Sequence, residues 1–413
     1  MGEKNPLVES LGIRIMINSK TPINELAAKA ITGEQLDATE SYSLITTSES
    51  EIQEICTSAA HLRDIGKGRI VTFSPKVFIP LTRLCRDYCG YCTFRLDPDE
   101  TDTIFMSPYE VLEVAKKGET LGCTEALFTL GERPELRFPE AKKWLKENGY
   151  KTTLEYLAAM CRLVLDQTNL FPHANPGTMS RRELESLKPY NPSAGLMLES
   201  TSHILYQKGG PHEFAPSKRP AARLKTIETA GQLKVPFTTG LLIGIGETVQ
   251  DRVDSLLAIR KLHQKYGHIQ EVIIQNFRAK PKTPMENNPD AEDIDMLWTV
   301  AVSRIILGSD VNIQVPPNLN SDHYQMYLDA GINDWGGVSP LTIDYVNPEA
   351  PWPTLQNLKT KTESEGFDLR PRLPVYPEYF IDNEEYIPKS LKEKVESMTD
   401  DEGYVKGGLA NYK

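Results

Sequence analysis

The chain has no run of 18 apolar residues, so no stretch of it reads as a membrane-spanning helix. It has no excess of positive charge either. Lys and Arg number 46 against 57 Asp and Glu, a formal net charge of −11. That speaks against a non-specific nucleic-acid binder, which needs a basic face, and against a polybasic membrane anchor. The N-terminus, Met1-Gly2-Glu3-Lys4-Asn5-Pro6, lacks the basic stretch followed by an apolar stretch that marks a secretory leader. No low-complexity tract and no repeat of fixed period is visible. Cysteine is scarce, six in 413 residues. Cys56, Cys123 and Cys161 stand alone in helix-like or strand-like context, as small buried hydrophobes do. Such usage fits a reducing cytoplasm. With 39% hydrophobic and 25% charged residues, the chain reads as globular, with room for two or three domains or one large barrel.

The other three cysteines fall together in Cys85-Arg86-Asp87-Tyr88-Cys89-Gly90-Tyr91-Cys92, a C-x3-C-x2-C spacing. The apolar run Val77–Thr82 precedes them, so they lie on a loop leaving a strand. Three thiolates from one loop can hold a metal centre but not complete it, because closed structural sites take four protein ligands. Two readings follow. One is a zinc site completed by a distant Cys or His. The other is a 4Fe-4S cluster with one iron left open for chemistry. No second C-x-x-C occurs, and the close pair His263 and His268 has no cysteine near it.

From Val77 onward, short apolar runs alternate with amphipathic segments. The runs are Val77–Thr82, Ala126–Leu130, Leu170–Asn175, Ala194–Leu198, Phe237–Ile243, Glu271–Gln275, Asn312–Val315 and Asp334–Val338. Helical spacing of apolar residues is read over Pro108–Leu121, Leu154–Gln167, Arg181–Leu187, Pro220–Leu233, Val249–Tyr266 and Asp293–Ile306. About eight strand–helix units predict an α/β fold, a (β/α)8 TIM-type barrel over 71–349. A doubly wound open sheet is the alternative, but it normally carries fewer repeats. Residues 1–70 read as an N-terminal helical lead-in. Within it Ser48-Glu49-Ser50-Glu51 starts a helix whose apolar face is Ile52, Ile55, Ala59, Leu62 and Ile65. Residues 350–413 are punctuated by prolines and read as an extension wrapped on the barrel, with its last dozen residues disordered.

In such a barrel the functional end is the C-terminal end of the strands. Unusual polar residues follow the strand candidates there: the cysteine loop, Gly131-Glu132, His173-Ala174-Asn175, Glu199, Gly244-Ile245-Gly246, Gln275-Asn276 and Pro316-Pro317-Asn318. Gly131 allows close backbone approach, and Glu132 offers a carboxylate to an ammonium group. Glu199 follows apolar residues and needs a partner if buried. Arg223 is a candidate for that role, or for gripping a ligand carboxylate. Gly244 and Gly246 free backbone amides for a flat base. His173 and Asn175 are candidates for hydrogen bonding to ribose or substrate, and His173 for proton transfer. Tyr91, between two cysteines, is placed to shield a cluster and stack on a ligand. His212 and His323 follow no strand end and read as structural.

The three-cysteine motif with an aromatic before its last cysteine, in a strand-to-helix loop of a β/α barrel, resembles that of the radical S-adenosylmethionine enzymes. Within that superfamily several stretches are similar to the deazaflavin-forming synthases of the FO synthase subunit 1 type. They are Phe78–Cys85, Gly90–Phe94, Pro172–Gly177, Gly210-Pro211-His212, Lys218-Arg219-Pro220, Gln275-Asn276-Phe277 and Asp334–Thr342, spread over about 70–350. The resemblance implies one 4Fe-4S cluster held by Cys85, Cys89 and Cys92, with S-adenosylmethionine on the open iron. It implies Gly131 and Glu132 at the methionine amino group. Glu199 and Arg223 would meet the ribose and carboxylate, and Gly244 and Gly246 the adenine. It further implies a lyase step: the adduct of a 4-hydroxybenzyl group with ribityldiaminouracil, made by a partner radical enzyme, closes to the deazaflavin FO with loss of ammonia. Ferredoxin or flavodoxin would supply the electron. Single-chain FO synthases carry two such cysteine motifs and this chain carries one. A related radical enzyme, the adduct-forming partner or a menaquinone-pathway cyclase, stays open as the alternative.

Overall fold

The computed structural model describes residues 21–411. Eight strands form the barrel: β1 Ile70–Ile79, β2 Glu125–Thr129, β3 Phe171–Asn175, β4 Ser193–Gly195, β5 Phe237–Ile243, β6 Ile269–Asn276, β7 Ile313–Gln314 and β8 Asp334–Val338. Their pairings are parallel, and β1 pairs with both β2 and β8, which closes the ring. The α/β class and the TIM-type barrel are therefore as expected. The first strand starts at Ile70 rather than Val77. Its early half alternates apolar with polar, and the polar members Thr72, Ser74 and Lys76 are buried. Most TIM barrels fill this interior with branched aliphatics. Here polar residues occupy it, which hides the strand from a hydrophobicity pattern.

The outer helices begin where their capping residues place them. Ser107 with Glu110, Ser180 with Glu183, and Thr248 with Asp251 each form a capping box, satisfying backbone N–H groups that have no partner in the first turn. Helices Pro108–Thr120, Thr153–Gln167, Pro220–Gln232, Val249–Tyr266 and Asp293–Leu307 agree with the spacing argument. Helix Pro139–Glu147 lies in a stretch where no element was expected. Of the lead-in, residues 1–20 lie outside the described residues. Helix Glu49–Lys67 starts at its Ser48–Glu51 box and buries Ile52, Ile55, Ala59 and Leu62, while Ile65 is solvent-facing.

The C-terminal segment is an ordered part of the barrel through the last residues described. A ninth strand, β9 Asp368–Pro371, pairs with the first half of β1 at Ile70–Phe73, below the point where β2 joins at Lys76. Leu373, Val375, Tyr376, Tyr379, Leu391 and Val395 then form a second apolar cluster with Phe171 across the N-terminal end of the strands. Val405 bridges to Thr399, and its N–H donates to the Pro371 carbonyl at 3.0 Å. Pro371 ends β9, Pro377 opens a short 3-10 helix and Pro388 precedes the helix Lys389–Met398.

Candidate active site

The cysteine loop is fastened by its neighbours before any ligand is considered. Arg86 N–H donates to the Glu132 carbonyl at 2.8 Å, Tyr88 N–H to Phe214 at 3.0 Å, and Gly90 N–H to Pro211 at 2.7 Å. Asp87, buried between the first two cysteines, accepts from the backbone N–H and the hydroxyl of Ser217. Cys85, Cys89 and Cys92 all line one cavity of about 340 Å³ that runs into the barrel. The Cys85 Sγ accepts the Glu132 N–H at 3.1 Å. Burial pushes the Cys85 thiol up to about 12, and raises Cys89 too although Lys218 pulls it down. Among the described residues no three His, Cys, Asp or Glu side chains converge closely enough to hold a single metal ion. Three thiols from one loop on one cavity form a donor set that fits a 4Fe-4S cluster with one iron left open.

Glu132 and Gly131 meet the cysteine loop from β2. A Cβ on Gly131 would lie 1.9 Å from the Leu84 carbonyl oxygen, so the glycine lets the β2 loop pack onto the cysteine loop itself. Glu132 is only 5% exposed and accepts from the Thr178 N–H at 3.0 Å and its hydroxyl at 2.7 Å. Gly177, at φ +90°, stands where a Cβ would fall 1.7 Å from Glu132 Oε2. Burial raises the Glu132 carboxyl and the Thr178 hydrogen bonds oppose it.

Glu199 lines the cavity in a left-handed conformation at φ +67°, which costs a non-glycine residue about 1–3 kcal/mol and tends to occur at functional sites. Its main partner is Lys218, with the Arg223 Nη1 at 3.7 Å. Burial works against its charge, but Lys218 and Arg223 hold the carboxyl below its usual range. Arg223 is also committed to carbonyls, those of Ser217 at 3.1 Å and Met197. Tyr91 lines the cavity and its hydroxyl meets His212 Nε2 at 2.9 Å. His212, read as structural from its place in the chain, is thus the residue that holds Tyr91. Burial pushes its imidazole down to about 3.

His173 and Asn175 also line the cavity. His173 Nδ1 lies 2.7 Å from Ser193 Oγ, whose own hydroxyl donates to the Pro374 carbonyl at 2.6 Å. With that proton engaged, Ser193 must accept from His173 Nδ1–H, which leaves Nε2 with a free lone pair. Burial holds this imidazole down at about 4, in its neutral form. Gly244 and Gly246 lie apart from the other candidates. Neither lines the cavity, and the Gly244 N–H is taken by the carboxylate of Glu247 at 2.9 Å. The glycines at φ +88° and +108° shape this turn, and it is Leu242 from the same strand that reaches the cavity.

The model described as "Radical SAM superfamily" matches residues 79–259. The 7,8-didemethyl-8-hydroxy-5-deazariboflavin synthase of Methanopyrus kandleri is 53% identical over 337 residues, which is 82% of this chain and 100% of that protein. The chain belongs to the 7,8-didemethyl-8-hydroxy-5-deazariboflavin synthase family. Its FO synthase relatives are longer. The one from Streptomyces avermitilis is 48% identical over 90% of this chain but 44% of its own length, and the one from Mycobacterium tuberculosis 46% identical over 97% and 48%. The fold is shared with the FeFe-hydrogenase maturase HydG from Carboxydothermus hydrogenoformans (TM-score 0.68, 19% identity, 91% of this chain and 89% of that one) and with methylornithine synthase (TM-score 0.62, 18% identity, 83% and 97%).

As a deazariboflavin synthase-family member, the chain is a radical S-adenosylmethionine enzyme of FO biosynthesis, and the family implies a 4Fe-4S cluster and S-adenosylmethionine. Among the described residues no helix is long and apolar enough to cross a membrane. Sequence reasoning on this deazariboflavin synthase-family chain missed Lys218, His212, Lys76, Glu125, Glu271 and Arg372 as parts of the site. Lys218 sits just before a helix, far from any strand end. Lys76 and Glu125 lie inside strands, where a polar residue at an inward position was the available signal.

Proposed function

We propose that this chain catalyses the ring-closing half of FO formation. It would take the adduct of a 4-hydroxybenzyl group with ribityldiaminouracil and close it to the tricyclic deazaflavin with loss of ammonia. The observation that carries this reading is the meeting of three loop thiols with Glu132 and Glu199 in one cavity of the barrel, in a chain 53% identical to a whole deazariboflavin synthase. Cys85, Cys89 and Cys92 are the proposed ligands of the cluster. Held there together with S-adenosylmethionine, such a cluster would supply reductive radical chemistry for hydrogen-atom abstraction.

The chain's own residues do the rest. Glu132, with its orientation set by Thr178 and Gly177, offers a carboxylate to the methionine amino group. Lys218 and Arg223 give the region around Glu199 the positive charge that a carboxylate ligand needs, and Glu199 itself suits ribose hydroxyls. Tyr91, held by His212, walls off the thiols from the rest of the chamber. His173 presents an unprotonated Nε2 as an acceptor for a proton released during ring closure, and Asn175 an amide beside it.

The adduct itself would come from a second radical enzyme. FO synthases more than twice the length of this chain's share of them support that division of labour. An electron donor such as ferredoxin or flavodoxin and a reducing cytoplasm complete the reading, and the unit 71–349 with its lead-in and C-terminal plug would act as one catalytic body. The test is turnover of reconstituted, reduced, anaerobic protein with S-adenosylmethionine and the adduct. FO fluorescence together with 5′-deoxyadenosine is the expected result. 5′-Deoxyadenosine without FO would keep the radical chemistry and discard this substrate.

A further inference from the structure

The cavity does not stop beneath the cysteines. It continues down the barrel to Lys76, Glu125 and His173, on three successive strands. These side chains are 8%, 6% and 7% exposed. Each still has a polar atom without a protein partner. Lys76 Nζ makes no hydrogen bond or ion pair among the described residues. Its contact is the Trp352 ring at 5.0 Å. Glu125 uses one carboxylate oxygen on the Ser74 hydroxyl and leaves Oε1 free. His173 leaves Nε2 free, by the proton count above. Lys76 and Glu125 are register partners on β1 and β2, yet they form no ion pair. Two buried opposite charges that face one space without meeting are costly unless something polar lies between them.

The walls and floor point the same way. The side-chain amides of Asn175, Gln275 and Gln314 line the cavity and make no hydrogen bond among the described residues. At the bottom, Arg372 from the C-terminal plug donates to Asp334 at 2.7 and 3.0 Å and to Glu271 at 3.0 Å, and Tyr376 donates to Glu271 at 3.1 Å. That layer is saturated and rigid, while the layer directly above it is not. Gly337 makes room for the arrangement, since a Cβ there would fall 2.2 Å from Lys76 Cδ.

We propose that Lys76, Glu125 and His173 form a recognition subsite for the heterocyclic end of the substrate, closed below by the C-terminal plug. The free groups are one donor and two acceptors. Their complement is a ureide, one carbonyl flanked by two N–H groups, as a pyrimidinedione presents. The unpartnered amides above suit the hydroxyls of an attached polyol chain. This assignment rests on the substrate reading of the preceding subsection and adds the residues that select the uracil half.

The experiment uses the reconstituted full chain with Glu125→Gln, which keeps shape and removes an anionic acceptor, and Lys76→Met. Equilibrium dialysis with 5-amino-6-(D-ribitylamino)uracil and fluorescence titration with FO measure binding. Turnover of the adduct separates KM from kcat. The expected result is at least a tenfold weaker binding of both probes and a tenfold rise in KM for the adduct, without an equal rise in KM for S-adenosylmethionine. Iron content and circular dichroism verify folding. If Lys76→Met fails that check, Glu125→Gln decides alone. Unchanged binding and KM in a folded variant overturn the subsite, as does an equal effect on both substrates. If the wild type cleaves S-adenosylmethionine but forms no FO, the ring-closure reading falls. The subsite is then judged by dialysis alone: binding that Glu125→Gln weakens tenfold upholds it, and no binding to the wild type overturns it.

Discussion

The two ends of the chamber treat buried charge in opposite ways. At the mouth, charges are paired within the protein. Glu199 has Lys218 and Arg223, Glu132 has the Thr178 donors, and Asp87 has Ser217. Near the floor, the Arg372–Asp334–Glu271 layer is paired as well, but just above it Lys76 has no hydrogen-bond or ion-pair partner among the described residues, and Glu125 and His173 each use one polar atom and keep the other unmet there. Internal pairing fixes a shape in advance, which is what positioning a cluster and its ligand demands. Unpaired buried groups hold recognition in reserve for a ligand that supplies the missing partners. The comparison teaches that the mouth is built for orientation and the lower chamber for selection.

The largest expected effect is at the mouth. Cys89→Ala should lose the cluster and all S-adenosylmethionine cleavage, read as iron content and 5′-deoxyadenosine. Retained turnover would refute its role as a ligand.

Next is the floor. Arg372→Met strands two buried carboxylates and should destabilise the fold by about 3–5 kcal/mol in urea unfolding. A loss below about 1 kcal/mol would mean the layer is not the rigid base described here.

A third effect is absent at neutral pH and grows with acid. His173, His212 and His268 are buried and held neutral, with values pushed down to about 4, 3 and 3. Their folded values lie below the unfolded value of 6.5. Unfolding therefore takes up protons below that pH. Stability is full above 6.5 and falls as pH drops toward 4 and then 3, by at most about 1.4 kcal/mol per pH unit for each residue. Urea midpoints that stay flat between about pH 7 and pH 5 would contradict this.

Smallest is a control outside the chamber. Arg162→Ala breaks an exposed pair with Asp166 at 3.4 Å and should change stability by less than about 0.5 kcal/mol. A larger loss would undercut the contrast between buried and exposed charge on which the other predictions stand.

Much of this was legible in the chain. The C-x3-C-x2-C spacing is local, so it marked the cysteine loop, the proposed holder of the cluster, without any fold. The period of apolar residues located the barrel's main helices to within a residue or two, because that signal acts over one or two turns. Polar residues at strand ends named Glu132, His173, Asn175 and Glu199, and all four line the cavity. Gly244 and Gly246, by contrast, do not line it. Glycine reports freedom of the backbone, not where the amide points, and Glu247 three residues on had already claimed it.

By itself, then, the sequence determined the class of chemistry and the barrel, since motif spacing and hydrophobic period are written within a few residues of one another. Only the tertiary structure decided which charges are paired and which are free. Lys218 reaches Glu199 from another part of a long loop, and Arg372 reaches Glu271 and Asp334 from the extension that follows the barrel. Lys76 and Glu125 look like interruptions in strands until eight strands close and turn them toward one space. Contacts between residues a hundred positions apart carry no local pattern, and the unmet charges of the lower chamber exist only once the chain has closed around them.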